Sequence, residues 1–457
     1  MTRPKDPASM APIPARAPRR WTRRDFIRTA GNATGAALLG SSAIALMACE
    51  KKAPSTQSSR NIHLLQWSNF IPEADPEIRR QAKEFESQTG VSVTVETINA
   101  NDLNARATAA VESKRGPDII QFQWNQAHLY EGGLMDVDDL AQELGALHGG
   151  WYETSVAAAK VGQHFKAVPY NIVGNAIVYR KDKFDEAGVP KFPDTWQEYL
   201  AAGAKLKKAG FPVGQTLGHT FGDAPTWCYP LLWSFGGQEL SDDGRSVAIN
   251  TAKAVEAVKF MKEFWAAACD EGGLAWDDTS NNRAFLAGII GATLNGASIY
   301  FVARSKPDTY PGLAGKLAHG LLPSGPGGRY HVPLNFQHGI MDYSENKEAA
   351  ADFIRFLMAQ ENFEKWFTLC NGYSLGAGSA WEQHGMWTKD PAITIFRDMA
   401  KYGRLFGWPG PYNRLASEVQ AKYIVIDLFA KAVQGTDTPE SAVAWAEKEL
   451  RNVYQRS

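Results

Sequence analysis

Beyond residue 60 the apolar positions fall into two alternating patterns. Ile62–Trp67 is a short apolar-rich run of strand length, whereas Ile78, Ala82 and Phe85 share one face of a helix predicted over Glu77–Thr89, with Gly90 as its cap. Val91, Val93 and Val95 then alternate as a half-buried strand. A helix follows over Leu103–Ser113, and a third strand over Asp118–Phe122 after Gly116-Pro117. Alternation of strand and helix predicts a layered α/β domain with a largely parallel sheet.

The first 60 residues show neither pattern. Trp21–Arg28 is charged, Gly31–Ala48 is apolar and rich in small residues, and Cys49 is followed by Glu50-Lys51-Lys52. A charged start, a short apolar middle and a processing site form an export leader, and the run is too short and too Gly-rich to span a membrane. Thr22-Arg23-Arg24-Asp25-Phe26-Ile27-Arg28 resembles the twin-arginine export signal, an address read after folding. Leu46-Met47-Ala48-Cys49 looks like a lipoprotein signal with Cys49 as the lipidated residue, although Met47 departs from the small residue usual there. The competing reading is a soluble export signal with an incidental cysteine. Residues 1–48 are therefore expected to be a signal peptide. Residues 49–60, with the Pro/Ser/Thr/Gln-rich stretch Ala53–Ser59, are expected to be a flexible tether.

Composition narrows the class. The 457 residues carry 48 basic and 49 acidic side chains. Residues 1–48 hold eight of the basic and two of the acidic groups, so the remainder has 40 and 47, a net of −7. A nucleic-acid binder shows the opposite bias. A chain of this length usually splits into two domains, and no apolar run after Cys49 is long enough to cross a bilayer. With Cys49 lipidated, Cys228, Cys269 and Cys370 remain, allowing at most one bridge; buried, inert thiols are expected. Of the 14 Trp, 15 Tyr and 22 Phe most belong to a core, but the Trp load is high for a chain of this size and leaves candidates for a binding surface.

An ordered series of segments carries a family resemblance. Gln66-Trp67, Phe85–Val93 and Gly116-Pro117-Asp118-Ile119-Ile120 are similar to the opening of the family 1 extracellular solute-binding proteins of ABC importers, the sugar-binding type. The similarity continues through Val168-Pro169-Tyr170, Ile177–Lys181, Phe184–Gly188, Pro193–Tyr199, Phe235-Gly236-Gly237, Ala284–Gly288, Leu322–Gly328, Lys347–Leu357 and Thr438–Ala442. The resemblance implies an α/β, two-lobe periplasmic-binding-protein-like fold with a ligand cleft between lobes joined by hinge crossings. Transferred by position, lobe 1 comprises residues 61–173 plus 297–342 and lobe 2 residues 174–296 plus 343–457. The crossings fall near Val173–Ala176, Asn295–Ala297 and Met341–Asn346. It also implies a non-enzymatic role in sugar transport, periplasmic or on the cell surface: capture of a mono- or oligosaccharide and delivery to ABC permease subunits, with lipid on Cys49 as the membrane contact. No nucleic-acid partner, no cofactor and a monomer are expected.

A sugar-binding cleft needs rings to stack on apolar sugar faces and paired polar groups for the hydroxyls. In an α/β sheet these belong at the carboxyl ends of strands. The first-lobe candidates are Trp67, Gln123, Trp124 and Asn125. Tyr170 and Asn171 lead into the first crossing, Asp223 and Trp227 belong to the second lobe, and Asn295 precedes the second crossing. Phe336 and Gln337 lie on the returning segment, and Tyr373 and Trp408 on late loops. Packing accounts for part of this set.

Other chemistries fit less well. Asp242-Asp243 and Asp277-Asp278 read as solvated surface rather than glycosidase carboxylates, His331 and His338 lack metal-ligand spacing, and Ser324-Gly325-Pro326-Gly327-Gly328 lacks the Lys of a phosphate loop. Two rivals stay open. One is a polyamine or other small-solute binder of the same fold, with Glu73, Asp75 and Asp223 as its acids; the other is a secreted carbohydrate-active enzyme.

Overall fold

The computed structural model describes residues 61–455. The leader, the tether and Cys49 lie outside them. The strands run β1 Asn61–Trp67, β2 Ser92–Ile98, β3 Ile119–Gln123, β4 Lys160–Val161, β5 His164–Phe165, β6 Val168–Val173, β7 Ala176–Arg180, β8 Val213–Gly214, β9 Ala292–Asn295, β10 Leu317–Gly320, β11 Leu334–Ile340 and β12 Ser374–Gly376.

β1 sits between β3 and β2 and buries Ile62, Leu64, Leu65 and Trp67, which is why its apolar run is continuous rather than alternating. β2 is the edge strand, and Val93 and Val95 are only half-buried. The first helix runs Ala74–Thr89, with Ile78, Ala82 and Phe85 buried and Gly90 in the left-handed conformation at its end. The second runs Ala100–Ser113, capped by the Asn99 side chain.

Two main sheets form. The first is ordered β12-β6-β11-β3-β1-β2, the second β10-β7-β9-β8. The expectation of a largely parallel sheet is met only around β1, which pairs parallel with β2 and β3. β11 runs antiparallel to both β3 and β6, because the chain enters it from the second sheet and against the direction of its neighbours. The second sheet is mainly antiparallel, with β7 paired to β9 and β10, and only β8 parallel to β9.

Connections between the sheets are short at first and longer later. β6 ends at Val173 in the first sheet and β7 begins at Ala176 in the second, so Gly174 and Asn175 span the gap. A Cβ on Gly174 would lie 2.9 Å from the Met399 sulfur and 3.2 Å from the Phe396 ring, so a larger residue there would require those side chains to shift. After β9 and the helix Ser298–Ser305, β10 still pairs with β7, and the return to the first sheet comes between Gly320 and Leu334. The helix Lys347–Met358 packs on the Ala74–Thr89 helix and β11, and β12 edges the first sheet. Residues 317–320 and 347–376 thus sit with the sheet opposite to the one expected by position, because strand pairing rather than chain order assigns them.

The second sheet is covered by the helices Trp196–Lys208, Asp223–Ser234 and Ala252–Ala268. Thr195 and Glu198 form a reciprocal capping box at the first of these. Trp196, Tyr199, Trp227 and Phe264 fill the space between them, and the helices Ile424–Gln434 and Pro439–Tyr454 pack on Ala252–Ala268. No described helix is long and apolar enough to cross a membrane.

Cys228, Cys269 and Cys370 are free and buried, and burial holds each thiol above its ordinary range. Thermal unfolding midpoints measured with and without reductant are therefore expected to coincide. A single Cys→Ser substitution that destabilises the protein only under oxidising conditions would contradict this.

Candidate functional site

The carboxyl ends of β1, β3 and β6 and the start of β11 share one edge of the first sheet, facing the loop Gly218–Gly222 of the second body. Trp67 closes β1 and stacks on Phe336 at 4.8 Å and 17°. Phe70 meets it edge-on at 5.5 Å, and Tyr373, just before β12, lies stacked at 6.5 Å. From the second body Phe221 completes the cluster, 5.5 Å from Trp67 and 6.3 Å from Phe70. The indole Nε1 of Trp124 donates to the Phe221 carbonyl at 3.1 Å, a direct hydrogen bond between the two bodies. Trp124 takes a left-handed backbone (φ 54°), and its carbonyl accepts from Gln337 Nε2 at 2.7 Å.

Beneath these rings lies a polar floor. Asp278 accepts from the backbone N–H groups of Phe221 at 3.1 Å, Gly222 at 3.4 Å and Asp223 at 2.7 Å. Its carboxylate thus anchors the amino end of the helix Asp223–Ser234. Asp223 accepts from Asn281 Nδ2 at 2.5 Å, and Asn281 also donates to Thr293 and to the Leu294 carbonyl. Burial, then the neighbouring Asp278 carboxylate, raise the Asp223 carboxyl well above its ordinary value. Asp278 is also raised by burial, but the backbone donors around it favour its anion. Of the two, Asp278 ionises first.

Asp223, Asn295, Tyr373 and the crossing residue Asn175 line a central pocket of about 20 Å³ with Phe70 and Phe221. It adjoins a hollow of about 200 Å³ walled by Trp67, Asn69, Asn99 and Asn101, and both share Phe70, Phe221 and Asp278. Gly296 belongs to this geometry, since a Cβ there would lie 2.9 Å from the Tyr373 ring. On the far side of Asn175 a cavity of about 570 Å³ is walled by Leu321, Ile395 and Met399. A separate cavity of about 470 Å³ is lined by Trp408 with Tyr152, Glu153, Arg404 and Tyr412.

The thirteen sequence candidates divide accordingly. Trp67, Asp223, Asn295 and Tyr373 meet at the pocket and hollow, with Phe336 stacked behind Trp67. Trp124 and Gln337 are joined to each other and to Phe221 as structural ties, and Asn125 gives its carbonyl to Ser417. Gln123 is buried at the end of β3, its backbone N–H bonded to Gln126. Trp408 lines only the separate cavity. Three candidates are corrected. Tyr170 lies under the first sheet among His338, Phe363 and Trp366; Asn171 is buried against Ser374; and Trp227 is core, donating to the Met261 sulfur. Strand and helix directions turn these side chains inward. Asp278 is likewise no solvated surface residue, being 4 % exposed.

Reasoning from sequence missed Phe70, Phe221, Asp278 and Asn281. Phe70 lay three residues beyond a named tryptophan, and Phe221 two before a named aspartate; no spacing signal marks Asn281. Asp75, weighed as a cation partner, is spent on Gln66 and on the Asn69 backbone. Among the described residues no group of three or more His, Cys, Asp or Glu side chains is arranged to hold a metal.

Two sheet bodies that meet over a polar, ring-lined pocket define a two-lobe solute-binding protein. The bacterial extracellular solute-binding protein family matches residues 80–395, and the chain belongs to that family. Among solved structures, a maltose-bound protein of T. maritima superposes with a TM-score of 0.74 at 20 % identity, covering 86 % of this chain and 99 % of that one. A sugar transporter of Arthrobacter chlorophenolicus A6 with bound laminaribiose gives 0.74 at 19 %, with coverage of 86 % and 99 %. A probable ABC transporter-binding protein of Deinococcus radiodurans is 27 % identical over 325 residues, 66 % of this chain and 74 % of its own.

The raised Asp223 carboxyl sets a pH dependence. The folded chain retains a proton that the unfolded chain releases near 3.8, so this contribution to stability is full below that value and is lost as pH rises through the folded value. The ligand-free Asp223→Asn variant, uncharged throughout, is expected to gain stability relative to the parent as pH rises above 3.8. A difference in unfolding midpoint that moves the other way would refute the assignment.

Proposed function

We propose that the protein is the sugar-capturing component of an ABC importer. Rings from both bodies, Trp67 and Phe70 from one and Phe221 from the other, gather over a polar floor at their junction, and this is the observation that carries the reading. Rings cover the apolar faces of a sugar, while Asp223, Asn295, Asn69 and Asn99 offer partners for its hydroxyls. The sugars named for the structural relatives, maltose and laminaribiose, support it. So does the diacetylchitobiose binding protein of Streptomyces coelicolor, 28 % identical over 197 residues, 40 % of this chain and 43 % of its own.

Capture proceeds by closure. The lobe built on the first sheet takes in residues 61–173 with β11, the helices of residues 347–370 and β12. The lobe built on the second takes in residues 176–320 and the helices of residues 424–454. Asn175 and Gly174 form one hinge. The Trp124–Phe221 hydrogen bond and the Trp67–Phe221 contact exist only when the lobes meet, so a solute that bridges the lobes shifts the population toward the closed form, which the permease reads. No covalent step is involved. Export through the twin-arginine route and lipid on Cys49 then keep the loaded protein beside its permease, outside the cytoplasm.

Isothermal titration with a panel of hexoses and disaccharides is expected to give saturable heat with at least one sugar; none with any would contradict the proposal. Trp124→Phe removes the interlobe donor and strands a buried carbonyl, a cost of about 1–3 kcal/mol. Its affinity for that sugar is expected to fall roughly tenfold or more. Unchanged affinity would show that closure does not use this bond.

A further inference from the structure

The floor of the central pocket carries acid without base. Asp278 spends its oxygens on backbone donors, and Asp223, 8 % exposed, has one oxygen on Asn281. The charged neighbours acting on Asp223 are Asp278 and Asp277, both acidic. Arg283, the basic residue close to this loop, stands 3.7 Å from Asp277 and is mostly exposed. A neutral hydroxyl can meet Asp223 only as the neutral acid, since ionising that buried carboxyl without a counter-ion is costly, whereas a cationic group lets it ionise.

A second observation points to a missing donor. Tyr373 is 3 % exposed, lines the same pocket and feels the Asp223 carboxylate, and its hydroxyl has no partner among the described residues. A tyrosine whose hydroxyl is left to the pocket, beside a buried carboxylate, marks a place for a ligand group that serves both. Three rings, Phe70, Phe221 and Tyr373, surround it, and ring faces attract a cation.

Size separates the two parts of the site. The 20 Å³ pocket fits a group the size of one water molecule, for which about 10–15 Å³ suffices, and not a ring. The adjoining 200 Å³ hollow, with Trp67 and the amides of Asn69, Asn99 and Asn101, is below the roughly 300–1,000 Å³ of sites for larger ligands. It suits a single sugar ring.

We propose that the captured solute is an aminated monosaccharide, whose protonated amine docks on Asp223 among Phe70, Phe221 and Tyr373 while its ring lies in the hollow beside Trp67. This rests on the sugar-capture reading and specifies its substrate class. Burial favours the protonated form of Asp223 in the empty pocket, and an arriving ammonium group favours the anion and pairs with it. An N-acetyl group has no charge to give and exceeds the pocket.

Titration at pH 7 of the folded chain with glucosamine, galactosamine and mannosamine, beside their parent hexoses, their N-acetyl forms and putrescine, tests it. At least one hexosamine is expected to bind tenfold or more tightly than its parent hexose and its N-acetyl form. Asp223→Asn is expected to abolish that preference, lowering hexosamine affinity by at least tenfold more than it lowers hexose affinity. The comparison among ligands needs no variant, so it stands even where a substitution perturbs folding; Tyr373→Phe, with a smaller loss of the same preference, supplies a second check. Equal or tighter binding of hexose or N-acetyl form overturns the amine site and leaves sugar capture intact. Binding of putrescine with no sugar of any form supports the ammonium pocket and overturns sugar capture. Absence of heat from all of them overturns both.

Discussion

Phe221 is where the two bodies of this protein are joined. Its carbonyl accepts from Trp124, its ring covers Trp67 and Phe70, and its amide is held by Asp278. One residue on a loop thus reports to both sheets at once. Without Asp278 fixing that loop, neither the interlobe hydrogen bond nor the ring cluster has a defined partner. The buried carboxylate is costly, yet three backbone donors and the amino end of the following helix offset much of that cost.

From that joint the rest of the site follows in order. The helix Asp223–Ser234 starts where Asp278 holds it, which puts Asp223 at the floor of the pocket. Asn281 fixes the Asp223 carboxylate by reaching back to β9 through Thr293 and the Leu294 carbonyl. Gly296 leaves room for the Tyr373 ring, and Asn175 takes the chain between the sheets along the pocket wall. Pocket and crossing are therefore neighbours, since Asp223 and Asn175 line the same space.

Much of this architecture was legible in the sequence. The periodicity of residues 62–122 marks the strands and helices of the first sheet to within a few residues, because buried strands and one-sided helices leave strong patterns. Trp67, Asp223, Asn295 and Tyr373 were also legible, as polar or aromatic residues at strand ends and crossings. Tyr170, Asn171 and Trp227 were misplaced because composition does not reveal which way a side chain turns, and each turns into a core. Asp278 was read as surface since two adjacent acids usually are; its partners lie 55 and more residues away in sequence. β10 and β12 escaped for a related reason, since only strand pairing shows to which sheet a short strand returns.

The central claim is that two bodies joined at Phe221 close on a solute. Spin labels at Lys83→Cys and Lys262→Cys, both exposed and on helices flanking different sheets, allow the separation to be measured by pulsed dipolar resonance. The native Cys228, Cys269 and Cys370 are buried from the label. A longer or broader distance distribution without ligand that collapses to a single shorter distance at saturating sugar is the predicted result. Identical distributions with and without a sugar that binds would contradict the account.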